Sequence, residues 1–234
     1  MKCVLLAGGK GARLRPLTYT IPKPLLPIGE KPILEEIIER LRAQGLGEII
    51  IAVGYRAELI ETYFRDGAQL GVSIEYVRET QPLGTAGPLS LVRAQCALPD
   101  DEPLLAMNGD ILTDLDLRAL ADAHRAAGNA LTLATREFRL QHPYGVIQLE
   151  GDRVSGVVEK PSVTDTVSAG IYAIDRAALD LVPRASFFDM PDLANALIAA
   201  GRRVGAYSFD GEWLAIDRIE QLEDAARLLA ERHA

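Results

Sequence analysis

The segment KCVLLAGGKGARLRPLT, residues 2–18, joins a short apolar run to a loop rich in glycine and cationic residues. Lys2–Ala7 is continuously apolar after its first residue and stops at Gly8-Gly9. A run of this length and composition predicts a strand that is buried on both faces of a sheet. We therefore expect an α/β fold that begins with a buried strand and continues into a loop with a function of its own.

The same alternation continues as far as residue 137. The sequence predicts strands at residues 2–7, 48–54, 72–77, 103–110 and 130–137, and helices at residues 32–45, 57–64, 86–95 and 117–128. Thr113 and Asp116 have the spacing of a capping box before the last of these helices. Strands that alternate with helices predict a parallel sheet covered on both faces, whose ligands bind beyond the carboxyl ends of the strands. The loops after the strands should therefore meet in one crevice.

The pattern changes near residue 138. Residues 144–161 form two short runs joined by Gly151-Asp152, which predicts a β-hairpin. The sequence predicts further strands at residues 167–175 and 203–209, and helices at residues 177–182, 190–201 and 219–234. We find no linker or internal repeat, and we interpret residues 1–234 as a single domain with an inserted β sub-region.

The composition limits the classes of partner. The chain has 33 Asp and Glu against 25 Lys and Arg, a net charge of -8, so we expect no nucleic-acid partner. Its two cysteines, Cys3 and Cys96, form no disulfide framework and suit a reducing compartment. No apolar run approaches about 18 residues, and no signal peptide precedes the first strand. We expect a cytoplasmic protein without a membrane partner, and a homo-oligomer stays open.

The opening loop is positively charged, although the chain as a whole is acidic. Residues 4–29 contain no acid but carry Lys10, Arg13, Arg15 and Lys23. Glycines allow backbone N–H groups to approach an anion closely, and the cations can neutralise phosphate oxygens. The loop therefore predicts a polyphosphate site, and the alternative is a tight turn flanked by solvated cations.

Two familiar phosphate loops do not fit this stretch. A P-loop requires Ser or Thr after Gly9-Lys10, whereas Gly11 follows here. A dinucleotide-binding fingerprint requires a third glycine at the position of Leu14. A dinucleotide-binding protein is therefore disfavoured.

LAGGKGARLRPLTYTIPKPLLPIGEKPIL, residues 6–34, resembles the signature of the sugar-1-phosphate nucleotidyltransferases. The family pattern is G-G-x-G-T-R-L-x-P-L-T followed by P-K-P, and Ala12 stands where the family usually has Thr. PLGTAGPL, residues 82–89, looks most like the mannose-1-phosphate guanylyltransferases. The resemblance implies a Rossmann-like mononucleotide-binding mixed sheet with helices on both faces and an inserted sugar-binding β sub-region. Residues 1–137 would form the nucleotide-binding core, and residues 138–234 the sugar-binding and completing part.

The implied reaction is attack by a sugar-1-phosphate on the α-phosphate of an NTP, with GTP favoured and pyrophosphate released. By resemblance, the catalytic residues are Arg13, which would hold the β- and γ-phosphates, Lys23, which would neutralise the α-phosphate, and Asp110. The implied nucleotide-binding residues are Leu6, Ala7, Gly8, Gly9, Gly11, Ala12, Arg13, Gln81, Gly84 and Thr85. The implied residues for the sugar phosphate are Lys23, Asn108, Gly145, Glu159, Lys160, Ala169 and Gly170. The implied cofactor is Mg²⁺, with Asp110 as a ligand, and we predict Asp217 as its second ligand.

The second metal ligand rests on a departure from the family pattern. The family usually has W-x-D-x-G-T-P-E-D near the end, whereas this chain has WLAIDRIEQL at residues 213–222. Ala215 stands at the metal position, and Asp217 would lie on the same face of a strand that continued two residues further. The alternatives are that Asp217 caps the final helix, or that water replaces the missing carboxylate.

Several functions stay open at this stage. Within the class, a glucose-1-phosphate thymidylyl- or uridylyltransferase and a heptose-1-phosphate guanylyltransferase are the alternatives. Outside it, Ala215 suggests a weakly active nucleotide-sugar sensor. Because the chain stops at residue 234, we expect no C-terminal left-handed β-helix domain of the kind many relatives carry.

Overall fold

The structure is a computed structural model that describes residues 1–233, with side chains described for residues 1–230. Its strands are β1 (Lys2–Ala7), β2 (Pro27–Ile28), β3 (Lys31–Pro32), β4 (Glu48–Val53), β5 (Ser73–Arg78), β6 (Leu104–Asn108), β7 (Ile111–Thr113), β8 (Leu131–Gln141), β9 (Val146–Glu150), β10 (Arg153–Val158), β11 (Ser162–Ile174), β12 (Val204–Ser208) and β13 (Trp213–Ala215). Its helices are α1 (Ile33–Ala43), α2 (Ala57–Phe64), α3 (Pro88–Gln95), α4 (Leu117–Ala127), α5 (Met190–Ala199) and α6 (Ile219–His233). No described helix is both long and apolar enough to cross a membrane.

Seven strands form one mixed sheet in the order β12-β8-β11-β6-β1-β4-β5. β1 pairs in parallel with β4 and β6, and β4 pairs in parallel with β5. β11 runs antiparallel to both β6 and β8. The five strands predicted from the alternation with helices, β1, β4, β5, β6 and β8, therefore all run in one direction, as expected. β11 runs in the opposite direction between β6 and β8, because no crossover helix lies between β8 and β11 and such a connection favours antiparallel pairing. The mixed sheet implied by the family resemblance is confirmed.

The central strands are buried on both faces, as the apolar runs predicted. Leu5 of β1 belongs to a core that also contains residues of α1, α2, α4 and α6. Val4, its neighbour, belongs to a second core built with α3 and α5. Complete burial of one such side chain contributes about 1.5–3 kcal/mol to folding. This sandwich holds the carboxyl ends of β1, β4, β5 and β6 at one edge of the sheet.

Two local predictions are wrong. The predicted helix at residues 177–182 is a 3-10 segment, Arg176–Leu181. The cap of α4 is Asp116, whose carboxylate accepts hydrogen bonds from the N–H groups of Arg118 and Ala119 at 3.0 and 2.9 Å. The Thr113 hydroxyl instead donates to the carbonyl of Glu212 at 2.8 Å, and so it takes no part in a capping box.

The predicted hairpin is present. β9 and β10 pair antiparallel around Gly151, which has a φ of 64°. Residues 142–161, called the arm below, connect β8 to β11 and stand apart from the two cores. The predicted division at residue 137 falls inside β8, so the seven-stranded sheet contains strands from both parts of the chain.

Candidate active site

Two cavities lie side by side at the carboxyl ends of the parallel strands and share Gly9 in their walls. The smaller cavity, of about 330 Å³, is lined by the loop after β1 and the turn after β6. Its lining includes Gly11, Arg13, Lys23, Asp110 and Asp217. The larger, of about 520 Å³, is lined by Gly8, Gly9, Lys10, Gly54, Tyr55, Glu79, Thr80, Gln81 and Pro82. The loops after β1, β4, β5 and β6 thus meet, as the α/β pattern predicted.

The glycine loop is shaped by close packing at one glycine and open space at another. Gly11 has a φ of 57°, and a Cβ atom there would lie 3.0 Å from side-chain atoms of both Thr18 and Lys23. A Cβ atom at Gly9 would meet nothing within 4 Å, so the backbone there borders open space beside the cavities. After Gly11 the chain makes three 3-10 turns, Ala12–Leu14, Leu17–Tyr19 and Lys23–Leu25, and the first and third place Arg13 and Lys23 at the smaller cavity.

Four charged side chains form one network in the smaller cavity. The Lys23 ammonium lies 2.5 Å from Oδ2 of Asp110 and 2.9 Å from Oδ1 of Asp217. The Arg13 guanidinium donates to Oδ2 of Asp217 at 2.6 Å. The Lys23 side chain is only 11 % exposed, whereas that of Arg13 is 70 % exposed. Lys23 is therefore held by its surroundings, while Arg13 can reach a ligand from the solvent side.

The Asp217 carboxylate has an altered acidity. Burial raises the pKa of this group, but hydrogen bonds and positive charge from Lys23 and Arg13 outweigh that effect. The pKa of Asp217 consequently lies below its usual value. The group is held in its charged form by the same two cations that the sequence assigned to phosphate.

Asp217 reaches the cavity because the chain leaves the strand before it. β13 ends at Ala215, opposite Ile111 of β7. Ile216 is fully buried, and its N–H donates to the carbonyl of Asp110 at 2.9 Å. The continued strand that would have put Ala215 and Asp217 on one face is thus wrong. The hydrogen bond of Ile216 ties this segment to the turn that carries Asp110, and Asp217 follows directly.

The described contacts of Asp217 differ from those of a helix cap. Its backbone N–H and that of Arg218 donate to Oε1 of Gln221 at 2.7 and 2.8 Å, just before α6 begins at Ile219. The Asp217 carboxylate itself accepts from Arg13 and Lys23. The Asp217 side chain therefore takes part in the charged network of the cavity, and the Gln221 side chain accepts the hydrogen bonds of the amides before the helix.

Sequence reasoning missed Glu79 in the larger cavity. Its carboxylate accepts a hydrogen bond from the Leu83 N–H at 3.1 Å and packs so tightly on Gly8 that a side chain there would collide with it. Burial raises the pKa of Glu79, and the bond from Leu83 partly offsets the effect. The available signal was its position, directly after β5 at the ligand-binding edge. Gln81 also lines this cavity and donates to the carbonyl of Ala185 at 3.1 Å.

Gly84 and Thr85 contact the start of α5. Gly84 has a φ of 78°, and a Cβ atom there would lie 2.6 Å from the Asp189 carboxylate. The Thr85 N–H donates to the same carboxylate at 2.9 Å, and its hydroxyl accepts from the Met190 N–H at 2.8 Å. These bonds anchor the segment that carries Gln81, and the nucleotide contacts of Gly84 and Thr85 stay predictions.

The residues predicted for the sugar phosphate fall into two groups. Asn108, Ala169 and Gly170 lie together: Gly170 has a φ of 72°, and a Cβ atom there would approach the Asn108 amide to 2.7 Å. The Ala169 carbonyl accepts from the Trp213 indole at 2.8 Å. Gly145, Glu159 and Lys160 instead sit on the exposed arm and line neither cavity. Their sugar contacts stay predictions.

The sequence model of the family described as "Nucleotidyl transferase" matches residues 2–232. A UTP–glucose-1-phosphate uridylyltransferase of Synechocystis sp. is 35% identical over 97% of this chain and 63% of its own length. A mannose-1-phosphate guanyltransferase of Candida albicans is 39% identical over 78% of this chain and 52% of its own length. The chain thus spans between half and two thirds of the length of these relatives.

A solved structure supports the fold. HddC from Yersinia pseudotuberculosis superposes with a TM-score of 0.76 at 24% identity, over 97% of this chain and 99% of that one. At this identity the likeness bears on the fold alone. Because the family model spans nearly every residue and curated relatives exceed 30% identity, the chain belongs to the nucleotidyl transferase family, among the sugar-1-phosphate nucleotidyltransferases.

Proposed function

We propose that the protein transfers a nucleotidyl group from an NTP to a sugar-1-phosphate and releases pyrophosphate, with GTP and mannose-1-phosphate or a related sugar favoured. The network of Arg13, Lys23, Asp110 and Asp217 beside the glycine loop carries the proposal. It brings together two cations, which would suit phosphate groups, and two carboxylates, which would suit a hard metal ion. The adjoining larger cavity has room for a nucleoside.

The chemistry requires little from a general base. A phosphate oxygen of the sugar-1-phosphate, already ionised near pH 7, attacks the α-phosphorus of the NTP. The bond between that phosphorus and the oxygen bridging to the β-phosphate breaks, and pyrophosphate leaves with the electron pair. Catalysis then rests on positioning and on stabilising negative charge. Lys23 would face the α-phosphate, and the more exposed Arg13 would hold the leaving pyrophosphate.

Asp110 and Asp217 are the residues that would hold Mg²⁺. Both carboxylates converge on one ammonium group, at 2.5 and 2.9 Å from Lys23 Nζ, so both already face one cationic centre. No group of three or more His, Cys, Asp or Glu suited to a metal occurs among the described residues. Two carboxylates nevertheless fit Mg²⁺, which usually keeps waters and substrate phosphates as its other ligands. When bound, the ion would neutralise charge on the phosphates.

Glu79 supports guanine as the base. A carboxylate accepts hydrogen bonds only, and the edge of guanine presents two adjacent donors, N1–H and the exocyclic amine. Uracil and thymine present one N–H on that edge, between two carbonyl oxygens that a carboxylate would repel. Glu79 lies in the larger cavity with one oxygen bonded to Leu83, so its other oxygen has acceptor capacity for a base.

A uridylyl- or thymidylyltransferase acting on glucose-1-phosphate is the second candidate. The Synechocystis relative, similar over nearly the whole chain, favours it. The Gln81 amide in the same cavity can both donate and accept, which would suit uracil or thymine. The sensor alternative loses its motive, because Asp217 brings to the cavity the carboxylate that Ala215 lacks.

A matrix of NTPs against sugar-1-phosphates, read by pyrophosphate release with Mg²⁺ present, tests the proposal. We expect the highest kcat/KM for GTP with mannose-1-phosphate or a related sugar. Glu79→Gln should reduce the preference for GTP over UTP by about tenfold, since one charged hydrogen bond to the base is lost. Highest activity with UTP or dTTP would select the second candidate, and no release with any pair would remove the enzyme proposal.

A further inference from the structure

The loop that carries Arg13 and Lys23 has few apolar anchors of its own. Between these two cations, Arg15, Pro16, Tyr19, Thr20 and Ile21 are exposed. Leu14 and Pro22 are buried at the two ends of this stretch, and within residues 15–21 Thr18 is the only buried residue, with 1 % of its surface accessible. A segment that must hold phosphates in a fixed geometry therefore depends on contacts from elsewhere in the chain.

Those contacts come from the two residues that follow β4 and Gly54. The Tyr55 hydroxyl lies 3.1 Å from the carbonyl oxygens of both Thr18 and Tyr19, to which it donates. The Arg56 guanidinium donates to the Tyr19 carbonyl at 2.7 Å and to the Tyr55 hydroxyl oxygen at 3.1 Å. One hydroxyl and one guanidinium thus bind two consecutive carbonyls of the exposed loop.

The path continues from Thr18 into the glycine loop. The Thr18 hydroxyl donates to the carbonyl of Gly11 at 2.8 Å. Gly11 itself is packed between Thr18 and Lys23, because a Cβ atom there would lie 3.0 Å from both side chains. A contiguous set of contacts therefore runs from the end of β4 to the backbone beside Lys23.

The backbone at Arg56 is strained where these contacts are made. Its φ of 53° and ψ of 41° place a non-glycine residue in the left-handed region, directly before α2. This conformation costs about 1–2 kcal/mol for a residue with a Cβ atom. In this conformation the guanidinium contacts the Tyr19 carbonyl, and its Cζ atom lies over the Tyr55 ring, 5.4 Å from the ring centroid.

Tyr55 also contacts the larger cavity and the start of the glycine loop. It lines the larger cavity, and its N–H donates to the carbonyl of Gly8 at 3.1 Å. The same residue therefore contacts both ends of the segment from Gly8 to Thr18, at Gly8 through its backbone and at Thr18 through its hydroxyl.

We propose that Tyr55 and Arg56 form a brace that positions the phosphate-binding loop for the leaving pyrophosphate. The inference rests on the proposed function and extends it to two positioning residues outside the charged network. Removing the brace should loosen the loop and weaken pyrophosphate binding, while the charged groups themselves remain present.

Two variants test the brace with matched controls. Tyr55→Phe removes only the hydroxyl. Arg56→Gly removes the guanidinium and also relieves the left-handed strain, so loss of folding is not expected to obscure the result. Tyr63→Phe and Arg65→Gly are the controls. Tyr63 lies on α2, the helix that begins directly after Arg56, and Arg65, which also has a positive φ of 49°, directly follows that helix.

The first measurement is hydrogen exchange of residues 12–21 in the protein without ligands. We expect faster exchange in Tyr55→Phe and Arg56→Gly, and wild-type exchange in both controls. The second is calorimetric binding of inorganic pyrophosphate with Mg²⁺, for which Kd should rise about five- to tenfold in each brace variant. The double variant should show less than the product of the single effects, because both residues act through one network.

Unchanged exchange in the two brace variants would overturn the proposal, and so would faster exchange with unchanged pyrophosphate affinity. A wild-type protein that binds pyrophosphate but transfers no nucleotide would remove the proposed function while leaving the brace supported by both measurements. The two failures are therefore distinguishable.

Discussion

The smaller cavity and the arm are both built from segments that follow strands of the same sheet. They differ in how far their charged side chains are buried and bonded. In the cavity, Lys23 is nearly buried and bonded to two carboxylates from distant parts of the chain. On the arm, every residue from 142 to 160 except Gly156 is exposed, and the ammonium of Lys160 lies 4.0 Å from the Glu159 carboxylate. The cavity is thus organised before any ligand binds, whereas the arm presents its polar residues to solvent.

Loss of the cation at the centre of the network should have the largest effect. Lys23→Ala should lower kcat at least about a hundredfold, because a preorganised charge beside the reacting phosphate is lost. Pyrophosphate release under saturating substrates measures the effect. Lys31→Ala is the control, since Lys31 pairs with Glu39 outside the cavity. Turnover within a few-fold of wild type in a folded variant would contradict the assignment of Lys23.

Asp217 tests whether the shifted carboxylate serves catalysis. Asp217→Asn should lower kcat about tenfold or more and raise the Mg²⁺ concentration needed for half-maximal rate, because one charged ligand is lost. A magnesium titration of pyrophosphate release measures both. Asp224→Asn on α6, where Asp224 pairs with Arg227 at the surface, is the control. An unchanged titration curve would leave Asp110, water and substrate phosphates as the magnesium ligands.

The arm should respond more mildly and for one substrate only. Glu159→Gln and Lys160→Ala should each raise KM for the sugar-1-phosphate about fivefold, the loss of one hydrogen bond or charge contact, while KM for the NTP stays unchanged. Stability should change by less than about 0.5 kcal/mol, because both side chains are exposed. Glu150→Gln, also on the arm, is the control. Equal effects on both substrates would argue against a sugar-side role for the arm.

The smallest expected effect concerns stability and pH. The pKa of Asp217 is lowered in the folded state, so its charged form stabilises folding above the unfolded-state pKa of about 3.9. That contribution is lost as pH falls through the still lower folded-state pKa. Asp217→Asn should therefore be less stable than wild type by about 1 kcal/mol at pH 7, and the difference should shrink below about pH 4. Urea unfolding at pH 7 and pH 3 measures it, and a difference independent of pH would exclude the ionic explanation.

Much of the fold followed from local pattern. The five strands predicted before residue 138, among them β1 and β4, are present, and so is the hairpin around Gly151. The errors were local: residues 176–181 form a 3-10 segment instead of a helix, and Thr113 takes no part in a capping box. The direction of β11, which is antiparallel to both its neighbours, did not follow from the pattern. Pattern reports which residues are apolar, but strand direction depends on how the connection between two strands travels in space.

The two-sided burial of the central strands and the cationic character of the loop after β1 could both be predicted from the sequence. Both properties are written in consecutive residues, and both appear in the structure at the predicted place. The family resemblance, which the comparisons confirm, also came from this loop, through its glycines, its lack of acidic residues, and Arg13 and Lys23.

The contacts of those cations depend on the tertiary structure. Asp217 is 194 residues from Lys23 in the chain, and it reaches Lys23 because β13 stops at Ala215 and Ile216 bonds to Asp110. Glu79 enters the neighbouring cavity, and Tyr55 and Arg56 bind the phosphate loop, through the same convergence of strand ends. These contacts join residues far apart in sequence. They depend on where each strand ends and how the loop beyond it turns, which no local pattern contains.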